Sequence, residues 1–298
     1  MTTVRDTPGG TASLAGRRVA RIGFGAMQIA ERRGRPALPR EAAIAVLRHA
    51  VDHGVNHLDT AEFYGAGACN ELIRAALHPY PADLALVSKV GAVHTASGLV
   101  AAQRPEQLRA SVEANLASLA VERLAVVNLR RLDAPPGITA HGDQIVDIDD
   151  QLAELAALRD EGKIGGIGLS GVHAEQVAQA GPAGIACVQN QYSVLDRTSE
   201  PVLDVCRAHG IAWVPFFPLG SAFPAVPKTT DHPAVIAAAA ELGATPAQVS
   251  LAWLLHHYAG TLLIPGTTDP AHLAENLAAG DVHLDPATLF TLEAIGRR

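Results

Sequence analysis

The sequence has few cysteines, few charged residues and no long hydrophobic run, and each scarcity excludes a class of protein. Its three cysteines are Cys69, Cys187 and Cys206, an odd number at wide spacing. This pattern fits neither a disulfide framework nor a CxxC metal pair. We therefore expect three reduced thiols that pack as small apolar side chains.

Charged residues make up only 18% of the 298 residues, whereas hydrophobic residues make up 48%. A chain of this composition buries a large core and is neither disordered nor fibrous. The formal net charge is −7 and no long basic run occurs, so nucleic acid and anionic membranes are poor partners. The sequence contains neither a leader-like apolar stretch nor an apolar run of membrane-spanning length. We expect a cytoplasmic enzyme or binder of small molecules.

Short apolar runs rich in Val, Ile and Leu alternate with amphipathic segments along the chain. Eight such runs predict strands, at 21–26, 55–60, 84–90, 124–130, 164–170, 185–191, 211–217 and 261–267. Apolar residues three and four positions apart predict helices, at 39–54, 104–120, 148–163, 200–210 and 245–260. Because the strand runs lack a regular polar-apolar alternation, they suit a parallel sheet covered by helices.

Eight such strands in a chain of this length predict an α/β fold, the (β/α)8 TIM barrel. A doubly wound open sheet is the alternative, but GFGAMQ at 23–28 lacks the third glycine of the dinucleotide-binding fingerprint. We predict a single domain over residues 1–298, with an N-terminal extension at 1–17 and a core at 18–280. A hairpin at 9–20 is expected to plug the barrel floor.

Polar residues lie where the predicted strands end, which is where active sites of such barrels are built. They are Asp59, Lys89, Arg130, Ser170, Gln189, Asn190, Gly266 and Thr267, together with Phe216 on the seventh strand and Tyr64 in the loop after Asp59. A lysine ammonium near a tyrosine lowers the pKa of the phenol, and an aspartate keeps the lysine charged and positioned. This group predicts a general acid at Tyr64.

The segment GVNHLDTAEFYG (54–65) resembles the D-T-A-x-x-Y-G signature of the aldo-keto reductases, and SKVG (88–91) is similar to their active-site lysine segment. Further segments match the family in the right order, at 162–170, 188–197, 215–221 and 264–279. The resemblance extends over residues 18 to 280. It implies an NAD(P)H-dependent oxidoreductase that reduces the aldehyde or ketone group of a small molecule to an alcohol.

The resemblance also assigns roles to individual residues. It implies that Asp59, Tyr64 and Lys89 are catalytic and that Tyr64 protonates the carbonyl oxygen. The resemblance implies that Phe216 stacks on the nicotinamide ring and that Ser170 and Gln189 bind the nicotinamide carboxamide. The full set of implied cofactor-binding residues is Ser170, Gln189, Phe216, Leu219, Ser221, Gly266, Thr267, His272, Glu275 and Asn276. NADPH is the implied cofactor. NADH is the alternative, because many members place Lys and Arg around the 2′-phosphate of NADPH, whereas the matching positions here are Gly266 and His272, with the acidic Asp269 nearby. The spacing of His and Asp residues predicts no metal site.

Arg130 stands where the family usually has a histidine, within LRR (129–131). An arginine donates hydrogen bonds but is permanently charged and cannot act as an acid. Three roles stay open: a catalytic electrophile beside the reacting oxygen, an anchor for a substrate carboxylate or phosphate, or an ion pair with Asp59 or Glu62. Arg131 is expected to face outward, because successive side chains on a strand point opposite ways.

Two other functions stay open beside carbonyl reduction. One is a cofactor-binding regulatory module with little turnover, and the other is a specialised pathway reductase acting on C=C or C=N bonds. The presence of Asp59, Tyr64 and Lys89 together favours the carbonyl reductase. The loop segment ERRGR (31–35) and the loop histidines His94 and His141 are expected to be solvent exposed.

Overall fold

The structure, a computed structural model, describes residues 7–30, 38–133, 137–220 and 226–296. Its strands are β1 (Thr11–Leu14), β2 (Arg17–Ala20), β3 (Phe24–Gly25), β4 (His57–Asp59), β5 (Ala85–Val90), β6 (Ala92–Thr95), β7 (Gly98–Ala101), β8 (Val126–Arg130), β9 (Ile167–Ser170), β10 (Ile185–Gln189) and β11 (Ala212–Trp213). Its α-helices are α1 (Met27–Ala30), α2 (Arg40–Asp52), α3 (Ala68–Leu77), α4 (Pro105–Leu119), α5 (Ile148–Asp160), α6 (Ala174–Ala180), α7 (Glu200–His209), α8 (Pro233–Leu242), α9 (Pro246–His257), α10 (Pro270–Leu277) and α11 (Pro286–Ile295).

Seven strands form one parallel sheet in the order β3-β4-β5-β8-β9-β10-β11. Residues 261–263 join its two edges. The Leu263 N–H donates to Arg21 O at 2.7 Å, and the Leu262 N–H donates to Trp213 O at 2.8 Å. The sheet is therefore closed, which confirms the predicted barrel; its eighth strand is only a few residues long.

The hairpin of β1 and β2 closes one end of the barrel. These two strands are antiparallel, with Thr11 opposite Ala20. Leu14 and Val19 are buried and pack in one cluster with residues that begin barrel strands, among them Ala85 and Val126. The hairpin thus covers the amino ends of the strands, as predicted, and leaves their carboxyl ends as the open face.

The predicted helices correspond to α2, α4, α5, α7 and α9. Proline opens several of them, as at Pro105 of α4, because its fixed φ suits the first helical turn. Gly210 ends α7 in the left-handed region, with φ 65°, where a residue without a Cβ is favoured. These helices cover the outer side of the sheet, and residues such as Leu108 and Leu155 are fully buried against it.

No single helix among the described residues is long and apolar enough to cross a membrane. The pair α8 and α9 reaches that length and composition only together, and it is bent by 94° at its break. Within α9, Val249, Trp253 and Leu254 are buried in the core of the fold.

A second hairpin, which the sequence reasoning did not predict, follows β5. Its strands β6 and β7 are antiparallel, with Thr95 opposite Gly98 at the turn. The turn is stabilised by Thr95 Oγ1, which lies 2.8 Å from Ser97 Oγ and donates to Gly98 O at 3.0 Å. The hairpin follows the carboxyl end of β5 and therefore borders the open face of the barrel.

Candidate active site

Three buried side chains form a hydrogen-bonded group at the carboxyl ends of the strands, here called the rim network: Asp59, Lys89 and Gln189. Lys89 Nζ forms an ion pair with Asp59 Oδ1 and donates to Thr60 O at 3.2 Å. The other carboxylate oxygen, Oδ2, accepts a hydrogen bond from Gln189 Nε2 at 2.7 Å. Asp59 is 3% exposed and Lys89 5%, so each charge depends on the other for compensation.

The Asp59 charge keeps Lys89 protonated. Burial lowers the pKa of Lys89, but the charge and hydrogen bond of Asp59 outweigh burial, and the net pKa lies above its ordinary value. Lys89 Nζ lies 5.0 Å from the centroid of the Tyr64 ring. The structure therefore brings together the three residues that the sequence predicted as an acid, its cation and the partner of that cation.

The phenol of Tyr64 has a raised pKa, which differs from the sequence-based expectation. Burial raises this pKa most; Lys89 and Arg130 lower it, but not enough to reverse the net direction. The expectation of a lowered pKa considered only the neighbouring charges, and desolvation of the phenolate exceeds their effect. Tyr64 is accordingly protonated at neutral pH and holds a proton that it can donate.

Arg131 faces outward, as the alternation of side chains predicted. Its guanidinium pairs with Asp133 at 2.9 Å, donates to Val146 O at 2.9 Å and donates to Gln151 Oε1 at 2.5 Å. Gln151 belongs to α5, so this arginine ties the end of β8 to the helix that covers it. Arg131 has a structural environment with several protein partners.

Arg130 faces the interior of the barrel. It shares a strand face with Val126, which packs in the inner cluster above the floor hairpin. Arg130 is half-buried, and its Nε is buried without a hydrogen-bond partner among the described residues. The ion pair with Asp59 or Glu62 is not formed, because Asp59 is bound to Lys89 and Glu62 accepts from Asn70 and Ser118.

The residues implied for the nicotinamide lie at neighbouring strand ends. Ser170 and Gln189 are 2% and 1% exposed, and Gln189 Oε1 is a buried acceptor without a partner among the described residues. Phe216 bridges to Gln191 beyond β11, and its half-buried ring packs edge-on against Phe217 with centroids 5.2 Å apart. An unpaired amide oxygen beside an aromatic ring fits a planar group that carries N–H donors.

The residues implied for the rest of the cofactor surround the last strand and α10, apart from Leu219, which is half-buried in the loop after β11. Thr267 and Asn276 are buried, Gly266 and Glu275 are half-buried, and His272 is exposed. Asp269 caps α10, accepting from the Ala271 N–H at 2.8 Å, and its carboxylate lies 4.0 Å from His272 Nδ1. Ser221 and the segment ERRGR lie outside the described residues.

Gly266 lies close to the first barrel strand. A Cβ on Gly266 would lie 2.4 Å from Gly25 O, and one on Gly25 would lie 2.5 Å from Ile264 O. Only glycines allow the backbones to approach this closely where the barrel closes. Gly266 therefore has a packing reason for its identity in addition to the implied binding role.

Sequence reasoning missed a pocket of about 360 Å³ beside the rim network. Its lining includes Lys89, Phe63, Val93, His94 and Ser111, so the β6–β7 hairpin and α4 both contribute. The sequence does contain an indication of this hairpin: the turn-forming residues at 95–98 lie between two short, largely apolar segments at 92–94 and 99–101.

The two loop histidines differ in position. His94 and His141 are both exposed, as expected, but His94 also lines the pocket beside Lys89. The three cysteines are buried and form no disulfide with one another. Groups of three or more His, Cys, Asp or Glu residues placed to bind a metal do not occur in the part of the chain that the structure describes.

Comparison with known proteins reveals similarity over nearly the whole chain. The sequence profile of the Aldo/keto reductase family matches residues 21–297. Pyridoxine 4-dehydrogenase of Escherichia coli strain K12 is 44% identical over 294 residues, which cover 96% of this chain and 98% of that protein. A probable aldo-keto reductase of Glycine max is 30% identical over 300 residues, covering 91% and 84%. The crystal structure of an aldo/keto reductase from Klebsiella pneumoniae, in complex with NADP and acetate, is similar with a TM-score of 0.79 and 26% identity, covering 97% and 96%.

Proposed function

Because the chain belongs to the aldo/keto reductase family and is an oxidoreductase, we propose that it interconverts a small carbonyl compound and the corresponding alcohol with NADP(H). The Escherichia coli relative is named pyridoxine 4-dehydrogenase, which supports pyridoxine and its aldehyde, pyridoxal, as the first alcohol and carbonyl compound to test. The NADP bound to the Klebsiella pneumoniae relative supports NADPH as the cofactor.

The observation that carries this proposal is the buried Asp59–Lys89 pair next to Tyr64. In the reducing direction the Tyr64 phenol donates its proton to the carbonyl oxygen, and in the oxidising direction the phenolate accepts it back. The Lys89 ammonium stabilises the phenolate that forms, and Asp59 keeps this ammonium charged and in place. The raised pKa of Tyr64 suits proton donation at neutral pH.

The residues around the rim network fit a nicotinamide cofactor. When bound, the nicotinamide supplies or accepts the hydride. Gln189 Oε1 is a free acceptor for its carboxamide, Ser170 lies on the neighbouring strand end, and Phe216 offers a ring face. His272, in the first turn of α10, would hold the adenosine end of the cofactor, next to Asp269, which caps that helix. A comparison of the Kd values of NADPH and NADH tests whether NADPH is preferred.

The experiment that tests the proposal is Tyr64→Phe, which removes the hydroxyl and keeps the ring. With pyridoxal and NADPH, and with pyridoxine and NADP+, kcat should fall by a factor on the order of 10² to 10⁴ while the Kd of NADPH stays unchanged. Tyr80→Phe is the matched control, because Tyr80 donates to Leu119 O at 2.7 Å outside the barrel. Its turnover should equal that of the wild type.

Two outcomes would contradict the proposal. Full activity of Tyr64→Phe would remove Tyr64 as the acid. Tight binding of NADPH by the wild-type protein without turnover of any aldehyde or ketone would instead favour a regulatory cofactor-binding module.

A further inference from the structure

Among the described residues, Arg130 is a cation without an anionic partner, and it ends β8 at the open face of the barrel. Its Nε is buried and unpaired among the described residues, and a half-buried guanidinium is normally compensated by an acidic or polar partner. Arg130 ends β8, which lies between β5, the strand that carries Lys89, and β9, where Arg130 is paired with Ser170. It therefore lies at the same strand ends as the rim network. Burial raises the pKa of the nearby Tyr64 phenol, and the charge of Arg130 opposes this rise.

The acidic residues around this position are already bound to other groups. Asp59 is held by Lys89 and Gln189. Glu62 accepts from Asn70 at 2.8 Å and from Ser118 at 2.7 Å. Asp133 pairs with Arg131. None of these described carboxylates pairs with Arg130, so its guanidinium is open to an anion on a bound ligand.

The chain also leaves space for this guanidinium. Gly137, in the loop after β8, has φ 109°, and a Cβ on it would lie 3.4 Å from Arg130 Nη2. A residue with a side chain would be strained in its backbone there, and its Cβ would be in van der Waals contact with the guanidinium. Gly137 therefore lies against the guanidinium without supplying a side-chain partner.

A guanidinium presents parallel N–H groups that match two oxygens lying close together in one plane. Because Arg130 lies near Tyr64, one of these oxygens is the carbonyl oxygen that Tyr64 protonates. The second oxygen must then lie beside the carbonyl oxygen and in the same plane. An aromatic aldehyde has this arrangement when an ionised hydroxyl is on the ring carbon next to the one that bears the aldehyde.

We propose that Arg130 binds this pair of oxygens and makes the enzyme selective for ortho-hydroxy aromatic aldehydes. The inference rests on the proposed function, since it requires turnover of an aldehyde at Tyr64. Pyridoxal belongs to the class, because its ring hydroxyl is adjacent to its aldehyde and ionises readily beside the protonated ring nitrogen. In the bound state the guanidinium neutralises the phenolate and stabilises the negative charge that develops on the carbonyl oxygen during reduction.

The test compares kcat/KM for 2-hydroxybenzaldehyde, 2-methoxybenzaldehyde and 4-hydroxybenzaldehyde with NADPH. For the wild type, the ortho-hydroxy compound should be preferred over both others by a factor on the order of 10 to 100, as a charged hydrogen bond predicts. In Arg130→Met this ratio should fall to about 1. The wild-type preference should also rise with pH as the substrate hydroxyl ionises, and this rise should be lost in Arg130→Met.

Two further variants separate recognition from structural damage. Arg130→Lys keeps the charge but loses the planar fork, so its ratio should lie between those of the wild type and Arg130→Met. Arg131→Met alters the neighbouring arginine on the outer face and should keep the wild-type ratio. Circular dichroism and the Kd of NADPH establish that each variant is folded.

The outcomes distinguish the two proposals. A wild-type ratio near 1, or an unchanged ratio in folded Arg130→Met, would overturn the role of Arg130. Preference for phenylglyoxylate over 2-hydroxybenzaldehyde would overturn it as well, because the anion would then be a carboxylate. Absence of pyridoxal turnover with the ortho-hydroxy preference intact would refute the pyridoxal assignment alone.

Discussion

The rim network differs from a second polar network on the outside of the barrel, although both contain an acid, a base and a neutral donor. The second, here called the helix network, lies between α7, α9 and α11 and consists of Tyr192, Glu200, Arg207, His257 and Glu293. His257 lies at its centre, with Nδ1 3.0 Å from Glu293 and Nε2 3.1 Å from Glu200.

The helix network is closed by protein groups. The Tyr192 hydroxyl donates to Glu200 and lies 2.9 Å from His257 Nε2, and Arg207 Nη1 donates to Glu200 at 3.0 Å. Trp253 Nε1 donates to Glu293 at 3.0 Å. Satisfied polar groups of this kind hold neighbouring helices in one arrangement.

The rim network, in contrast, has an acceptor without a partner among the described residues at Gln189 Oε1, and the Nε of Arg130, likewise unpaired among them, lies at the same face of the barrel. Unpaired buried groups cost stability, so two of them at the open face of a barrel indicate a place for a ligand. The two networks differ in how completely their hydrogen bonds are satisfied rather than in the types of residue they contain.

The largest effect is expected from Lys89→Met, which breaks the rim network. It leaves Asp59 buried without a cation, so the free energy of unfolding should fall by about 3–5 kcal/mol, and kcat should fall by a factor on the order of 10² to 10⁴. Urea unfolding and NADPH oxidation with pyridoxal measure the two effects. In the double variant Asp59→Asn/Lys89→Met stability should recover while activity stays lost; recovery of both would contradict a catalytic role for the pair.

Glu200→Gln breaks the helix network and should affect stability alone. Loss of the charged partner of Arg207 and His257 should lower the free energy of unfolding by about 1–3 kcal/mol, with kcat unchanged. Asp204→Asn is the control, because Asp204 also pairs with Arg207 but its side chain is 64% exposed, so the loss should stay within about 0.5 kcal/mol. A changed kcat in folded Glu200→Gln would mean that the two networks are coupled.

Gln189→Leu removes the free acceptor of the rim network. The Kd of NADPH should rise about tenfold, which corresponds to about 1.4 kcal/mol for one lost hydrogen bond. Gln151→Leu is the control, since Gln151 is equally buried but its amide binds Gln103 and Arg131 outside the barrel. That control should lose stability and keep the wild-type Kd, as titration of NADPH fluorescence would measure; a wild-type Kd in Gln189→Leu would remove Gln189 from the cofactor site.

The smallest effect concerns acid pH in the helix network. Burial raises the pKa of Glu200, but hydrogen bonds from His257 and Tyr192 outweigh burial and lower the pKa to about 2. A lowered folded-state pKa means that the stabilisation is complete above the ordinary glutamate pKa and is lost as pH falls toward 2. The stability difference between wild type and Glu200→Gln should therefore shrink between pH 5 and pH 3 in urea unfolding; a constant difference would contradict the lowered pKa.

Most of the fold and the grouping of Asp59, Lys89 and Tyr64 could be predicted because local patterns encode them. Apolar runs such as 84–90 marked the strands, and polar residues at strand ends such as Asp59 and Lys89 marked the site. The alternation along β8 predicted the outward direction of Arg131. The family resemblance then supplied roles that spacing alone does not give.

Other features depend on burial and on contacts distant in sequence. The pKa of Tyr64 is raised because the surrounding protein removes the phenol from water. The sequence shows which charged residues lie nearby, but it does not show how deeply the phenol is buried. The ion pair considered for Arg130 with Asp59 or Glu62 is not formed. Lys89 is bound to the Asp59 carboxylate, and Asn70 and Ser118 donate to the Glu62 carboxylate. The β6–β7 hairpin was missed because each of its strands is only four residues long.

The floor hairpin also bears on the order in which ligands bind. Because Leu14 and Val19 cover the amino ends of the strands, we expect ligands to approach Tyr64 and Gln189 from the carboxyl ends. Gln189 is 1% exposed, so a substrate bound first would block the nicotinamide from reaching it. We therefore expect an ordered mechanism in which NADPH binds first and NADP+ leaves last, seen as product inhibition by NADP+ that is competitive only against NADPH.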